Sequence, residues 1–152
     1  MKRNKVIVIV AVLLAIITII LLLTNTRSTI KQELKDFAIK DTASVNKIFL
    51  ADRSKKTILL ERQQDNTWKV NGKYKARPDA VKLLLGTIAS LEVQRPVAKA
   101  AYNNVLKQLA GGGVKAEIYQ NNKLVKTYYV GGPDQEQTGT FMLLEDSSTP
   151  FV

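Results

Sequence analysis

Two serines stand three residues ahead of a lysine, Ser28 before Lys31 and Ser44 before Lys47, the spacing at which serine-lysine acyl enzymes activate a hydroxyl. Ser44-Val45-Asn46 imitates the second motif of those enzymes, but the third is missing, because Lys126-Thr127 is followed by Tyr128 rather than glycine. A chain with 23 lysines and arginines produces such pairs by chance, and neither is expected to be catalytic. There is no histidine and no cysteine, which removes the usual general base, imidazole triads, thiolate nucleophiles and the commonest metal ligands. Asp134, Glu136, Glu145 and Asp146 lack the alternation of a calcium loop and read as solvated loop charges. No catalytic residue, metal or cofactor is expected. A glycosidase-type alternative needs two carboxyls about 5 to 9.5 Å apart in a cleft, and the sequence singles out no such pair.

Glycine clusters are weighed the same way. Gly111-Gly112-Gly113 has no following Gly-Lys-Ser/Thr and closes a predicted helix, so it reads as a terminator, not a phosphate loop. Gly131-Gly132-Pro133-Asp134 reads as a break between strands. The densest basic patch with an aromatic interleaved is Lys69, Lys73, Tyr74, Lys75 and Arg77, next to Trp68. On alternating strand positions these lysines are expected on the face opposite Trp68 and Val70, either as a solvated polar face or as a surface for an acidic partner or polymer.

The elements that must position this patch follow from periodicity. Val45–Asp52, Thr57–Gln63 and Thr67–Val70 read as strands of an antiparallel meander. Asn71-Gly72 predicts a type I′ turn, which places Trp68 and Val70 across from Tyr74 and Ala76. Arg77-Pro78-Asp79 opens a helix with the apolar stripe Val81, Leu84, Leu85, Ile88 and Leu91. A second helix is predicted over Val97–Ala110, burying Ala101, Val105, Leu106 and Leu109. Strands return at Val114–Gln120 and Leu124–Val130 around Asn121-Asn122-Lys123, and again at Thr140–Glu145. The fold class is therefore α+β: a meander, two helices, then further antiparallel strands, packed as one sheet-plus-helices domain. The chain stops at Pro150-Phe151-Val152, which reads as the opening of a strand and points to a product shortened at its C-terminus.

The N-terminus has a different character. Val6–Leu23 is 18 residues without a charge, roughly 27 Å of helix against a hydrocarbon core of about 30 Å. It is longer than a signal-peptide core and no small-x-small site follows, so it is expected to stay as a single transmembrane anchor. Lys2, Arg3 and Lys5 crowd its N-terminal flank, which predicts a cytoplasmic tail and a translocated C-terminal part. Of the net charge of +10, those three residues carry three, leaving +7 beyond them, a balance that favours anionic partners. In an exported domain nucleic acid is not expected. Without cysteine there is no lipid-attachment residue, so the apolar run is the anchor. The predicted organisation is a tail over 1–5, a span over 6–23, a stalk over 24–36 and an extracytoplasmic domain over 37–152. Ile30, Leu34 and Phe37 predict a short helix leading out of the membrane.

Three stretches resemble a known family. FAIKDTAS from Phe37, WKVNGKYKARPDAV from Trp68 and VKTYYVGGP from Val125 are similar to the bacterial family named domain of unknown function 4340, particularly members from Bacteroidetes-type bacteria. The similarity covers about residues 30 to 152. It implies an α+β domain on one N-terminal anchor and, in some genomes, a neighbour of gliding-type transporter components; it carries no active-site residue. The expected role is a membrane-anchored periplasmic binding or assembly module of the bacterial inner membrane, accessory to an envelope transporter complex, with an envelope protein or an anionic polymer as partner. The alternatives are an enzyme acting on an envelope polymer and an electrostatic binder of anionic lipid or polysaccharide.

Overall fold

The structure, a computed structural model, describes residues 13–14, 36–145 and 147–152. The proposed span over 6–23 lies outside the described residues apart from Leu13 and Leu14, which are helical and exposed. Among the described residues no helix is long and apolar enough to cross a membrane.

Seven strands form one antiparallel sheet: β1 (Val45–Ala51), β2 (Thr57–Arg62), β3 (Trp68–Val70), β4 (Tyr74–Lys75), β5 (Val114–Gln120), β6 (Lys123–Pro133) and β7 (Thr140–Leu144). Their spatial order is β4-β3-β2-β1-β5-β6-β7. The meander grows outward from β1 on one side and the later strands on the other, so β1 and β5 are central. Helix α1 (Pro78–Ser90) and helix α2 (Tyr102–Gly112) lie between the two halves in sequence. The α+β class and the strand-helix-strand order agree with the sequence reading.

Alternation assigns the faces. Ile48, Leu60, Ala116, Ile118 and Tyr128 are buried and aligned across the strands on a front face. Helix α1 covers it with Val81 and Ile88 buried and Leu84, Leu85 and Leu91 half-buried, the stripe the sequence predicts. Helix α2 packs on the back: Val105 and Leu109 join Val97 and Val152, against Tyr129, Phe141 and Leu143. Gly131 permits this close approach, since a Cβ there would stand 2.8 Å from Leu109 Cδ2. The sheet is thus buried on both faces at β6.

Several expectations are corrected. The second helix begins with a 3-10 turn at Lys99–Ala101 and runs through Gly111 and Gly112, stopping at Gly113. Helical backbone has no quarrel with glycine beyond its entropy cost, and the end comes where Gly113 turns extended and donates its N–H to Leu109 O at 3.0 Å. Gly131-Gly132-Pro133 does not break a strand: β6 continues to Pro133 through a register shift between Val130 and Pro133, a bulge that glycine accommodates. The β5–β6 turn needs only Asn121 and Asn122, with φ of 49° and 65°, and Lys123 already pairs with Gln120. Phe37 is not helical; it is buried in the front core, with ring centroids 6.1 Å from Tyr128 and 6.0 Å from Phe151. The rest of the expected stalk, 24–35, lies outside the described residues.

The segment around Phe37 straps α1 to the sheet. Ile39 N donates to Ile88 O at 3.1 Å and Lys40 Nζ to Ala89 O at 3.1 Å, satisfying carbonyls at the helix end that have no partner within the helix. Lys126 Nζ donates to the carbonyls of Asp36 and Ala38 and pairs with Asp36 Oδ2 at 3.0 Å. The last residues are bonded on both sides: Phe151 exchanges bonds with Met142, both 2.8 Å, while Val152 N donates to Arg95 O and Val152 O accepts from Gln94 N.

Asp134 locks the neighbouring loop. Its buried carboxylate accepts from the amides of Thr138 and Gly139, the Thr138 hydroxyl and Arg95 Nη2 at 2.7 Å. Burial alone would raise its pKa, but these donors and the Arg95 charge outweigh that and hold the carboxyl below its ordinary value. A folded-state pKa below the unfolded one gives stability that is fully present above the ordinary aspartate value of about 3.9 and is lost as pH falls through the folded value. Asp134→Asn is expected to lower the melting temperature at neutral pH and to flatten the loss of stability below about pH 4. Thermal melts of both proteins across that range check it; parallel curves contradict it.

Candidate basic cleft at Trp68

The hairpin that carries the predicted patch is fixed by its turn. Asn71 and Gly72 have φ of 51° and 67°, both left-handed, as a type I′ turn requires, and Lys73 N closes it on Val70 O at 3.1 Å. Asn71 also ties the turn to β2: its amide donates to Leu59 O and its Oδ1 accepts from Leu59 N, each at 2.7 Å. The resulting register pairs Val70 with Tyr74 and Lys69 with Lys75, while Ala76 N bonds Trp68 O at 2.7 Å. Trp68 and Val70 lie across from Tyr74 and Ala76, as the sequence implies.

The patch itself is only partly as expected. Lys69 and Lys75 do share the face opposite Trp68 and Val70, in a row that continues through Glu61 and Lys47 to Tyr119. Lys73 instead belongs to the turn, its ammonium 5.2 Å from the Tyr74 ring centroid, and Tyr74 takes the side of Val70 with 61% of its surface exposed. Arg77 is the N-cap position of α1 and is engaged by Asp79 at 2.5 Å, a contact that lowers the Asp79 pKa. Arg77 is therefore bound to its own helix rather than held out as part of the lysine row.

What the hairpin and α1 build together is a cleft of about 540 Å³. Trp68, Thr67 and Thr42 line it with Lys75 from the edge strand, and α1 contributes Lys82 and Gly86. Trp68 is 6% exposed, and its indole N–H has no hydrogen-bond partner among the described residues. Lys69, Lys75 and Lys82 form no ion pair among the described residues. Lys69 and Lys75 stand directly opposite one another, an arrangement of like charges that costs rather than contributes stability. Arg62 stands across from Trp68 in the β2–β3 register; one guanidinium nitrogen donates to Ala43 O, and its Nε has no partner among the described residues. Asp65, at the adjoining turn, is occupied by the Thr67 hydroxyl at 2.7 Å and amide at 3.0 Å, which lower its pKa.

Chemically the arrangement is a partly apolar slot with an indole in its wall and lysines among its lining residues, suited to holding an anionic group. No Asp or Glu lines this cleft or the other described one, so the paired carboxyls of a glycosidase have no counterpart there. Ser44 spends its hydroxyl on Asp41 O at 3.1 Å, and Lys47 Nζ lies 4.0 Å from the Tyr119 ring centroid; the serine-lysine spacing does not make a working pair. Ser28 and Lys31 lie outside the described residues, as does Asp146. Of the other loop acids, Glu136 is 3.6 Å from Arg95 and Glu145 is 3.4 Å from Lys115. Among the described residues no group of three potential ligands is placed to hold a metal.

Lys82, Gly86 and the two threonines are absent from the sequence-derived patch. A helical projection carries the available signal: Lys82 and Gly86 are four residues apart, each directly following a residue of the apolar stripe, Val81 and Leu85. Thr42 and Thr67 come from loops brought in by tertiary packing, for which periodicity has no signal. No family model matches the chain, and no curated protein and no solved structure shows significant similarity to it.

Proposed function

We propose that the chain is a membrane-anchored extracytoplasmic binding module that recognises an anionic group on a component of the bacterial envelope. The observation that carries this reading is the Trp68 cleft, whose lining brings Trp68 and Thr67 together with Lys75 at the edge strand and Lys82 from α1. Lysines at the rim of a partly apolar slot attract negative charge. The anchor is the apolar run over 6–23, oriented with the tail in the cytoplasm and residues 37–152 in the periplasm. An accessory role beside an envelope transporter is what the resemblance of these stretches to domain of unknown function 4340 would imply.

Charge reversal separates the cleft from general basicity. In detergent, the full chain carrying Lys75→Glu with Lys82→Glu is expected to bind dextran sulfate about tenfold or more weaker than wild type, the effect of ~1 kcal/mol from each charge. Lys55→Glu with Lys56→Glu, the same change in net charge on the exposed β1–β2 loop, is expected to have a much smaller effect. Equal losses in the two variants contradict the assignment. The anchor is tested by fractionation: the protein is expected in alkali-washed membranes, with its C-terminal part cut by protease added to the periplasmic side. Recovery in the soluble envelope fraction with a new N-terminus near Thr24 to Ser28 contradicts it.

A further inference from the structure

A second cleft, of about 390 Å³, runs between α1 and the front face of the sheet. Leu84 and Ile88 form its helical wall, and Ile48, Ala116, Ile118 and Met142 the strand wall. It follows β5 from Val114 to Ile118, roughly 14 Å at the rise of an antiparallel strand. Thr87 from the helix and Thr140 from the sheet are its exposed lining residues. No charged side chain lines it. The volume falls in the range of small-molecule sites and is too small for a protein element.

One polar group breaks the apolar lining. Tyr128 is only 3% exposed, and its hydroxyl has no hydrogen-bond partner among the described residues. Burial pushes its pKa up to about 12, so at neutral pH it is a donor and carries no charge. Apart from Tyr128 and the two threonines, every residue lining the cleft is hydrocarbon or thioether.

We propose that this cleft binds a single extended acyl chain whose neutral carbonyl accepts the Tyr128 hydroxyl. The apolar lining fits a hydrocarbon chain, and the Tyr128 hydroxyl fits one acceptor. An ionised carboxylate is disfavoured because nothing in the lining would compensate its buried charge. An ester-linked chain from a lipid is therefore favoured over a free fatty acid. This inference does not rest on the anionic site at Trp68.

The test uses the full chain in bilayer vesicles and a decanoyl monoacylglycerol carrying a diazirine in its chain, with the labelled peptides read by mass spectrometry. Label is expected in the peptides containing residues 84–91 and 140–144, falling about tenfold or more in Thr140→Trp and in Thr87→Trp, two exposed positions where the indole blocks the mouth without disturbing the core. Unlabelled monodecanoylglycerol is expected to compete. Tyr128→Phe weakens that competition about five- to tenfold, the worth of one hydrogen bond; decanoate competes less well and is indifferent to the substitution. The proposal is overturned by label confined to residues 6–23, by labelling of the cleft that both tryptophans leave unchanged, or by Tyr128→Phe weakening both competitors equally.

Discussion

Everything at the Trp68 cleft depends on the register of one short hairpin. A slip of one residue between β3 and β4 would leave Trp68 where β2 holds it but exchange the faces of Tyr74, Lys75 and Ala76, because side chains alternate with period two. The left-handed backbone at Asn71 and Gly72 forbids that slip, and the two bonds between Asn71 and Leu59 hold the turn against β2. The strand β4 has only two residues, too few to choose a register by its own ladder. Turn chemistry, and the burial of Trp68 opposite Ala76, choose it instead.

The second constraint is the double-sided burial at β6. Its successive residues Tyr128 and Tyr129 serve opposite cores, one with Phe37 and Phe151 beneath α1, the other with Leu109 and Val152 beneath α2. The C-terminal residues alternate in the same way, Phe151 to the front and Val152 to the back. On the front, α1 buries Val81 and Ile88, and each lines one of the two clefts, Val81 the Trp68 cleft and Ile88 the second. Gly86 keeps the wall of the Trp68 cleft low, at the usual entropic expense of glycine in a helix.

Local chemistry was legible in the sequence where it acts locally. The Asn71-Gly72 turn, the proline-led start of α1, its apolar stripe and the order of the strands follow from neighbours in the chain. Three features did not, each for a physical reason. Gly111 and Gly112 can be helical when packing holds them, so composition misplaced the end of α2. Gly131 and Gly132 looked like a break, although their lack of side chains serves a bulge and the close approach of Leu109 within a continuous strand. The basic patch looked like one lysine face, yet the turn takes Lys73 and the helix takes Arg77, while Lys82 joins from a distant part of the chain. Periodicity describes which face a residue takes, not which loop or helix arrives over it.

Trp68 is the single tryptophan, so its emission reports on the proposed site without labelling. Titrating the full chain in detergent with glycerol phosphate is predicted to give a saturable change in that emission, weakening as salt screens the lysines. Emission that stays constant through the titration, or a change that salt does not diminish, would contradict the assignment of this cleft as the binding site.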